Sequence, residues 1–142
     1  MNNFVFENSS KVYFGEGCVK EYLSNILSAY GDTVMLCYGG GSIKKNGIYD
    51  EVITVLKKEN KAVVEFSGIP SNPTCSKVLE GVKLAKESNA DLILAVGGGS
   101  VMDCCKAISL GAKYDGDIWA DFWARPGVID FEPLPLGIIV TV

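Results

Sequence analysis

The sequence contains no histidine, the residue that most often serves as a general acid or base and as a metal ligand. Its five cysteines are an odd number and include no Cys-x-x-Cys pair, so they indicate neither a disulfide framework nor a zinc site. We expect reduced thiols that pack or lie at the surface. Thiols of this kind are typical of a cytoplasmic protein.

Long apolar runs and an excess of positive charge are also absent. No stretch of 18 or more apolar residues is present, so we expect no membrane span. The amino terminus lacks the basic and apolar regions of a signal peptide. A net charge of −4 argues against a nucleic-acid partner. The 142 residues suffice for one domain with a core of its own, covering residues 1–142.

The sequence does contain a regular alternation of apolar strand patterns and amphipathic helix patterns. It predicts strands at 33–38, 62–66, 91–96 and 136–142, and helices at 18–30, 48–60, 74–88 and 100–110. Two further short strands are predicted at 4–6 and 11–14. This order predicts the α/β class, with a Rossmann-like, mostly parallel sheet and helices on both faces. Thr74 is the expected cap of the third helix.

Two further features concern the second half of the chain. The segment from 111 to 133 is less regular, and we expect Trp119 and Trp123 to pack it rather than to bind a ligand. The chain then stops at an apolar strand pattern, although termini are usually exposed and polar. We therefore expect it to be part of a larger protein, cut at a domain boundary.

A strand followed by a glycine loop occurs twice. Residues 34–43 (VMLCYGGGSI) and 92–101 (LILAVGGGSV) align without gaps, and each has an apolar strand before Gly-Gly-Gly-Ser. Parallel strands place such loops at one edge of the sheet, where open α/β sheets bind ligands. Glycines allow close approach to a ligand, and a helix N-terminus favours phosphate. The pair could hold the two ends of a dinucleotide, whereas either loop alone could be a plain turn.

The second loop continues as Gly-Gly-Gly-Ser-Val-Met-Asp-Cys-Cys-Lys at 97–106. This matches the GGGSxxDxxK signature of the iron-containing (type III) alcohol dehydrogenases. Residues 12–17 (VYFGEG) resemble the family's first strand and turn, and 68–73 (GIPSNP) resemble its "G..PNP" loop. Residues 38–47 (YGGGSIKKNG) resemble its NADPH-dependent butanol dehydrogenase and aldehyde reductase branch. The resemblance covers nearly the whole chain.

The resemblance implies that this chain is a dehydroquinate synthase-like amino-terminal domain. The family's second domain is helical and binds iron or zinc through one Asp and three His, so metal ligands and catalytic residues are expected outside this chain. The implied reaction moves hydride between NADP(H) and a primary alcohol or aldehyde such as butanol or butyraldehyde. The fragment alone is expected to be inactive. A homodimer through the amino-terminal strands is the implied assembly.

The resemblance also implies cofactor roles for individual residues around the second loop. It assigns the pyrophosphate to the loop and the nicotinamide side to Asp103, while Lys106 receives no chemical role. The local alternative is that Ser100 caps the helix, with Asp103 completing a capping box and pairing with Lys106. The cofactor-binding residues implied here are Gly97, Gly98, Gly99, Ser100 and Asp103.

The first loop is the expected seat of the adenosine ribose. It has no acid to hold a ribose 2′-hydroxyl, whereas Ser42 can bind a 2′-phosphate and Lys44 and Lys45 add positive charge. NADP(H) is therefore preferred over NAD(H), unless the segment is a plain turn with solvated lysines. By resemblance, Asn72 contacts the cofactor, although it could be only a turn residue, and Thr141 lies at the adenine pocket. The residues of this set are Gly39, Gly40, Gly41, Ser42, Asn72 and Thr141.

Two other functions remain open. The chain could be a stand-alone nucleotide-binding or assembly module without catalysis, which also predicts cofactor binding. Within the superfamily it could be a glycerol or polyol-phosphate dehydrogenase, although the match at 38–47 argues against this.

Overall fold

The computed structural model describes residues 3, 5–125 and 127–141. The elements in chain order are α1 (Cys18–Leu27), β1 (Thr33–Tyr38), α2 (Ser42–Lys45), α3 (Ile48–Lys58), β2 (Ala62–Phe66), α4 (Cys75–Glu87), β3 (Leu92–Gly97), α5 (Gly99–Gly111), a π-helical turn (Trp119–Trp123) and β4 (Leu136–Val140). The α/β alternation and the four main strands are confirmed.

The four strands form one sheet in the order β2-β1-β3-β4, and every neighbouring pair is parallel. The chain moves from β1 outward to β2, then returns across β1 to β3. The connections therefore leave β1 and β3 in opposite directions, which makes the carboxyl ends of these two strands a topological switch point. This is the position where open α/β sheets bind their ligands.

Alternate residues of the central strands pack on opposite faces of the sheet. Val34 and Leu36 of β1 belong to a buried cluster with α1 and α3, whereas Met35 and Cys37 belong to a cluster with α4 and α5. All six residues of β3 are buried, as expected for a strand covered on both faces. The prediction of a parallel sheet with helices on both faces is confirmed.

The repeated sequence corresponds to strand pairing. Each residue from Val34 to Tyr38 lies opposite the residue 58 positions later, from Leu92 to Val96. The same offset appears at the start of the strands, where the Asp91 carboxylate accepts a hydrogen bond from the Thr33 amide at 3.0 Å. The two glycine loops therefore leave the sheet side by side.

The two predicted amino-terminal strands are wrong for the described residues. Positions 5–6 and 11–14 belong to no strand, and Phe4 lies outside the described residues. Val5 and Phe14 are 97% and 98% exposed. The physical reason is that a strand needs a neighbour to bond with, and the edges of this sheet, β2 and β4, do not bond to this segment. The β-favouring composition is therefore not sufficient here.

The segment after α5 is irregular, as predicted, but its tryptophans are not packed away. The Asp117 carboxylate accepts from the Trp119 and Ala120 amides at 2.9 and 3.1 Å, which fixes the start of the π-helical turn. Trp119 and Trp123 are 54% and 48% exposed. Both rings are thus only half covered by the described chain, and the expectation that they pack this segment rather than bind a ligand stays a prediction.

The cysteines form no disulfide, as the sequence predicts. All five cysteines are free thiols, with Cys37, Cys104 and Cys105 buried and Cys75 exposed. Burial raises the pKa of Cys104 to about 11. In the described part of the chain, no helix is both long and apolar enough to cross a membrane.

Candidate functional site

The two glycine loops, 39–42 and 97–100, form one edge of the molecule. Gly40, Gly41, Gly98 and Gly99 are exposed there. The second loop is held at its first two residues by backbone bonds, because the Gly97 carbonyl accepts from the Thr141 amide at 3.0 Å and the Gly98 carbonyl accepts from the Met102 amide at 3.1 Å. The second loop therefore presents exposed backbone from a fixed support.

The glycines of the two loops differ in what surrounds them. A Cβ at Gly97 would lie 2.6 Å from Val101 Cγ2, and one at Gly39 would lie 3.1 Å from the Ile69 carbonyl oxygen. A Cβ at Gly40, Gly41 or Gly99 would meet no atom of the described chain within 4 Å. The first two glycines are thus required by internal packing, whereas the space beside the other three is open to a ligand.

The N-terminus of α5 lies within the second loop. Gly98 is its N-cap residue and has no side chain to cap the helix. The first amides of a helix have no partner within the helix, and they carry part of the positive end of the helix dipole. A phosphate can therefore bind at this end through backbone amides.

The capping-box alternative at this helix is wrong. Ser100 lies inside α5, and its hydroxyl donates to the Ser71 carbonyl oxygen instead of bonding to the helix. The Asp103 carboxylate pairs with Lys106 Nζ at 3.7 Å, which confirms the pairing part of the local alternative. Both side chains of this pair are largely exposed, so the pair contributes little to stability.

The loop at 68–73 joins the two glycine loops. At one end the Gly68 amide donates to the Gly39 carbonyl at 2.9 Å, and at the other the Ser71 carbonyl accepts from Ser100. Asn72 follows directly and is exposed. Thr74 caps α4, because its hydroxyl accepts from the Lys77 amide at 3.3 Å, which confirms the predicted cap. Asn72 is therefore held at the same edge as both loops.

Positive charge lies beside the first loop. Ser42 is exposed at the start of α2. Lys44 Nζ lies 4.7 Å from the centre of the Tyr49 ring and 5.5 Å from that of Tyr38, within the range of a cation–π interaction. Lys44 is exposed, but its ammonium group lies over both rings. Lys45 is exposed and forms no ion pair with a described residue.

The structure adds one acid that the sequence analysis did not consider. Glu65 is the only charged residue of β2 and lies opposite Leu36 of β1. An acid near the end of the second strand is the usual partner of a ribose 2′-hydroxyl. The signal in the sequence was a single glutamate within an otherwise apolar strand. Here its carboxylate already accepts a hydrogen bond from the Tyr49 hydroxyl.

The remaining predicted residues lie near the second loop. Thr141 is half-buried, and its carbonyl oxygen would lie 3.7 Å from a Cβ at Gly98. It is thus adjacent to the second loop rather than the first. Asp103 lies about one turn further along α5 and lines a pocket with Trp119 and Trp123. The structure therefore brings both loops, Asn72 and Thr141 to one edge and places Asp103 beside them.

No cluster of three or more His, Cys, Asp or Glu side chains that could hold a metal is present among the described residues. The resemblance assigns the metal ligands to residues outside this chain, and none of the described residues is given that role.

The hydrogen bond to Glu65 raises the pKa of Tyr49 from its usual 10.0 to about 12. We expect Glu65→Gln to lower the pKa of Tyr49 toward 10, because the acceptor loses its negative charge. The folded chain holds this proton more tightly than the unfolded chain. The stabilisation is therefore complete below about pH 10 and lost as the pH rises through about 12. An NMR titration of ¹³C-labelled tyrosine measures the pKa directly.

Glu59→Gln is the matched control, because Glu59 accepts from the Ser24 hydroxyl and not from a tyrosine. It should leave the titration of Tyr49 unchanged. A Tyr49 pKa that stays near 12 in Glu65→Gln would contradict the assignment.

Known dehydrogenases and reductases are similar in sequence to the whole of this chain. A probable NADH-dependent butanol dehydrogenase of Bacillus subtilis is 46% identical over 142 residues, which are all of this chain and 36% of that protein. The NADPH-dependent aldehyde reductase of Escherichia coli is 36% identical over 145 residues, again all of this chain and 36% of that protein. The chain thus spans about a third of the length of these relatives.

The fold agrees as well. The crystal structure of an NADH-dependent butanol dehydrogenase from Thermotoga maritima superimposes with a TM-score of 0.88 at 43% identity. The match covers all of this chain and 35% of that structure. The family model described as iron-containing alcohol dehydrogenase matches residues 9–142. Because this family model matches nearly the whole chain and the relatives share its sequence and fold, the chain belongs to the iron-containing alcohol dehydrogenase family.

Proposed function

We propose that residues 1–142 are the nucleotide-binding domain of a metal-dependent alcohol dehydrogenase or aldehyde reductase that uses NADP(H). The observation that carries this proposal is the in-register pairing of β1 with β3, which sets two open glycine loops side by side. The chemistry supplied by the bound cofactor is hydride transfer, and the protein supplies its position. The metal ligands would lie in a helical domain outside these residues.

The binding arrangement follows from the two loops. The pyrophosphate binds at the N-terminus of α5, where Gly99 leaves open space and the helix amides are available. The adenosine ribose binds over Gly40 and Gly41 of the first loop, which are also open. Asn72 contacts the cofactor between them, Thr141 contacts it beside Gly98, and Asp103 lies on the nicotinamide side.

The preference for NADP(H) is supported by the charges near the first loop. Residues 39–45 contain two lysines and no acid, and Ser42 is exposed beside them. Glu65 is the only acid of β2, and its carboxylate already accepts a hydrogen bond from the Tyr49 hydroxyl. A 2′-phosphate carries negative charge and is favoured by lysine and hydroxyl donors.

NAD(H) is the second candidate, because two of the relatives above have names that state NADH dependence. In that case Glu65 would leave Tyr49 and bind the ribose 2′-hydroxyl.

With either cofactor, the substrate of the whole enzyme would be a primary alcohol or aldehyde such as butanol or butyraldehyde. The chain alone would have no turnover, and the enzyme would act in the cytoplasm. A homodimer through the amino-terminal segment is part of the same proposal, and a stand-alone nucleotide-binding module is its alternative.

We expect the purified chain to bind NADPH more tightly than NADH in calorimetric titrations. Ser42→Ala and Lys44→Gln should each weaken NADPH binding by roughly tenfold to a hundredfold, the loss of one hydrogen bond to a charged group. They should leave NADH binding nearly unchanged. Tighter binding of NADH, lost in Glu65→Gln, would instead identify the second candidate.

A second variant tests the open space at the second loop. Gly99→Ala should leave the chain as stable or up to about 1 kcal/mol more stable in urea unfolding, because alanine favours a helix and its Cβ meets nothing. NADPH affinity should nevertheless fall by about tenfold or more, which corresponds to about 1.4 kcal/mol, since the Cβ enters the space of the pyrophosphate.

Ser28→Ala is the control for this variant, because Ser28 lies between α1 and β1, at the amino-terminal ends of the strands and away from both glycine loops. It should bind NADPH like the unchanged chain. Wild-type affinity in a folded Gly99→Ala protein would place the pyrophosphate elsewhere.

A further inference from the structure

A pocket of about 190 Å³ lies between α4, α5 and the π-helical turn. Its walls are largely apolar, and we call it the tryptophan pocket. These walls include Val78, Ala107, Ile118, Trp119 and Trp123. Among its polar lining residues is Asp103, whose side chain is 75% exposed.

The two tryptophans at this pocket are unusually exposed for such large apolar side chains. They are the only tryptophans of the sequence, and both are about half exposed. A tryptophan that is fully buried removes a large apolar area from water, which these two do not achieve in the described chain. Apolar walls around a concave space favour an apolar ligand.

The size of the tryptophan pocket limits the ligand. Pockets that enclose drug-sized ligands are larger, about 300–1,000 Å³. Since one water occupies about 30 Å³ in the liquid, 190 Å³ corresponds to a handful of heavy atoms. The dinucleotide is too large for this space, whereas a chain of a few carbons fits it.

The pocket begins beside the second glycine loop. Asp103 and Ala107 follow Ser100 by three and seven residues along α5, which places them about 5 and 10 Å further along the helix axis. A ligand in the tryptophan pocket would thus lie next to a nucleotide held at the N-terminus of the same helix.

The Asp103 carboxylate at this pocket can accept a hydrogen bond from a ligand. The nearest cation to the Asp103 carboxylate, Lys106 Nζ, is 3.7 Å away, and the carboxylate accepts no hydrogen bond from a described residue. A hydroxyl can donate to it, whereas the oxygen of an aldehyde cannot.

We propose that the tryptophan pocket binds the hydrocarbon chain of a short primary alcohol, whose hydroxyl donates a hydrogen bond to the Asp103 carboxylate. This inference rests on the proposed function, because it assigns the substrate chain to a site on the nucleotide-binding domain. It extends that function by making the pocket a determinant of chain length.

Tryptophan fluorescence of the purified chain tests the proposal, because Trp119 and Trp123 both line the pocket and no other tryptophan contributes. We expect 1-hexanol to give a saturable change and 1-butanol to bind more weakly by on the order of tenfold, about fourfold for each methylene. Hexanal should bind more weakly than 1-hexanol, and glycerol should give no saturable change.

Ala107→Leu fills the pocket and should abolish the 1-hexanol response, with folding checked by circular dichroism. Ala124→Leu is the matched control, because Ala124 is exposed and does not line the pocket; it should respond like the unchanged chain. Trp123→Ala, at a half-exposed position, is the second variant and should weaken binding several-fold even if Ala107→Leu does not fold.

NADPH binding is measured in the same samples, so that the two proposals can fail separately. NADPH binding together with a response to 1-hexanol that is not saturable, or that persists unchanged in Ala107→Leu and Trp123→Ala, would overturn the pocket proposal alone. A saturable response that is lost in these variants, in a chain that binds no NADPH, would uphold the pocket and overturn the proposed function.

Discussion

The parallel pairing of β1 with β3 is the constraint on which the rest of the structure depends. Its register places Val34 opposite Leu92 and continues to Tyr38 and Val96, so that both glycine loops begin at the same level. A shift by one residue would move every side chain of one strand to the other face of the sheet. The two buried clusters and the position of the loops are therefore fixed by the same set of hydrogen bonds.

Each glycine loop that follows this strand pair contains glycines in crowded and in open surroundings. Gly39 and Gly97 are closed in by the chain itself, whereas Gly40, Gly41 and Gly99 face open space. The loop at 68–73 is bonded to Gly39 at one end and to Ser100 at the other. The loops are thus held as one rigid edge before any ligand binds, which reduces the entropy lost on binding.

The sequence predicted the parts of this fold that depend on local pattern. Continuous apolar runs identified β1 and β3, and the repeat at 58 positions contained their register. Features that depend on distant partners were not predictable. The segment at 11–14 has strand composition but no neighbouring strand, and Ser100 bonds to Ser71 rather than to its own helix. The Tyr49–Glu65 contact joins residues that only the packing of α3 on β2 brings together.

With both loops at the same level, we expect one dinucleotide to contact them at once. The most direct test is an NMR titration of the ¹⁵N-labelled chain with NADPH. The amides of Gly40 and Gly41 and those of Gly99 and Ser100 should shift together along one saturation curve, while amides at the amino-terminal ends of the strands, such as that of Ser28, should not move. Shifts confined to one loop, or two loops that saturate at different concentrations, would contradict it.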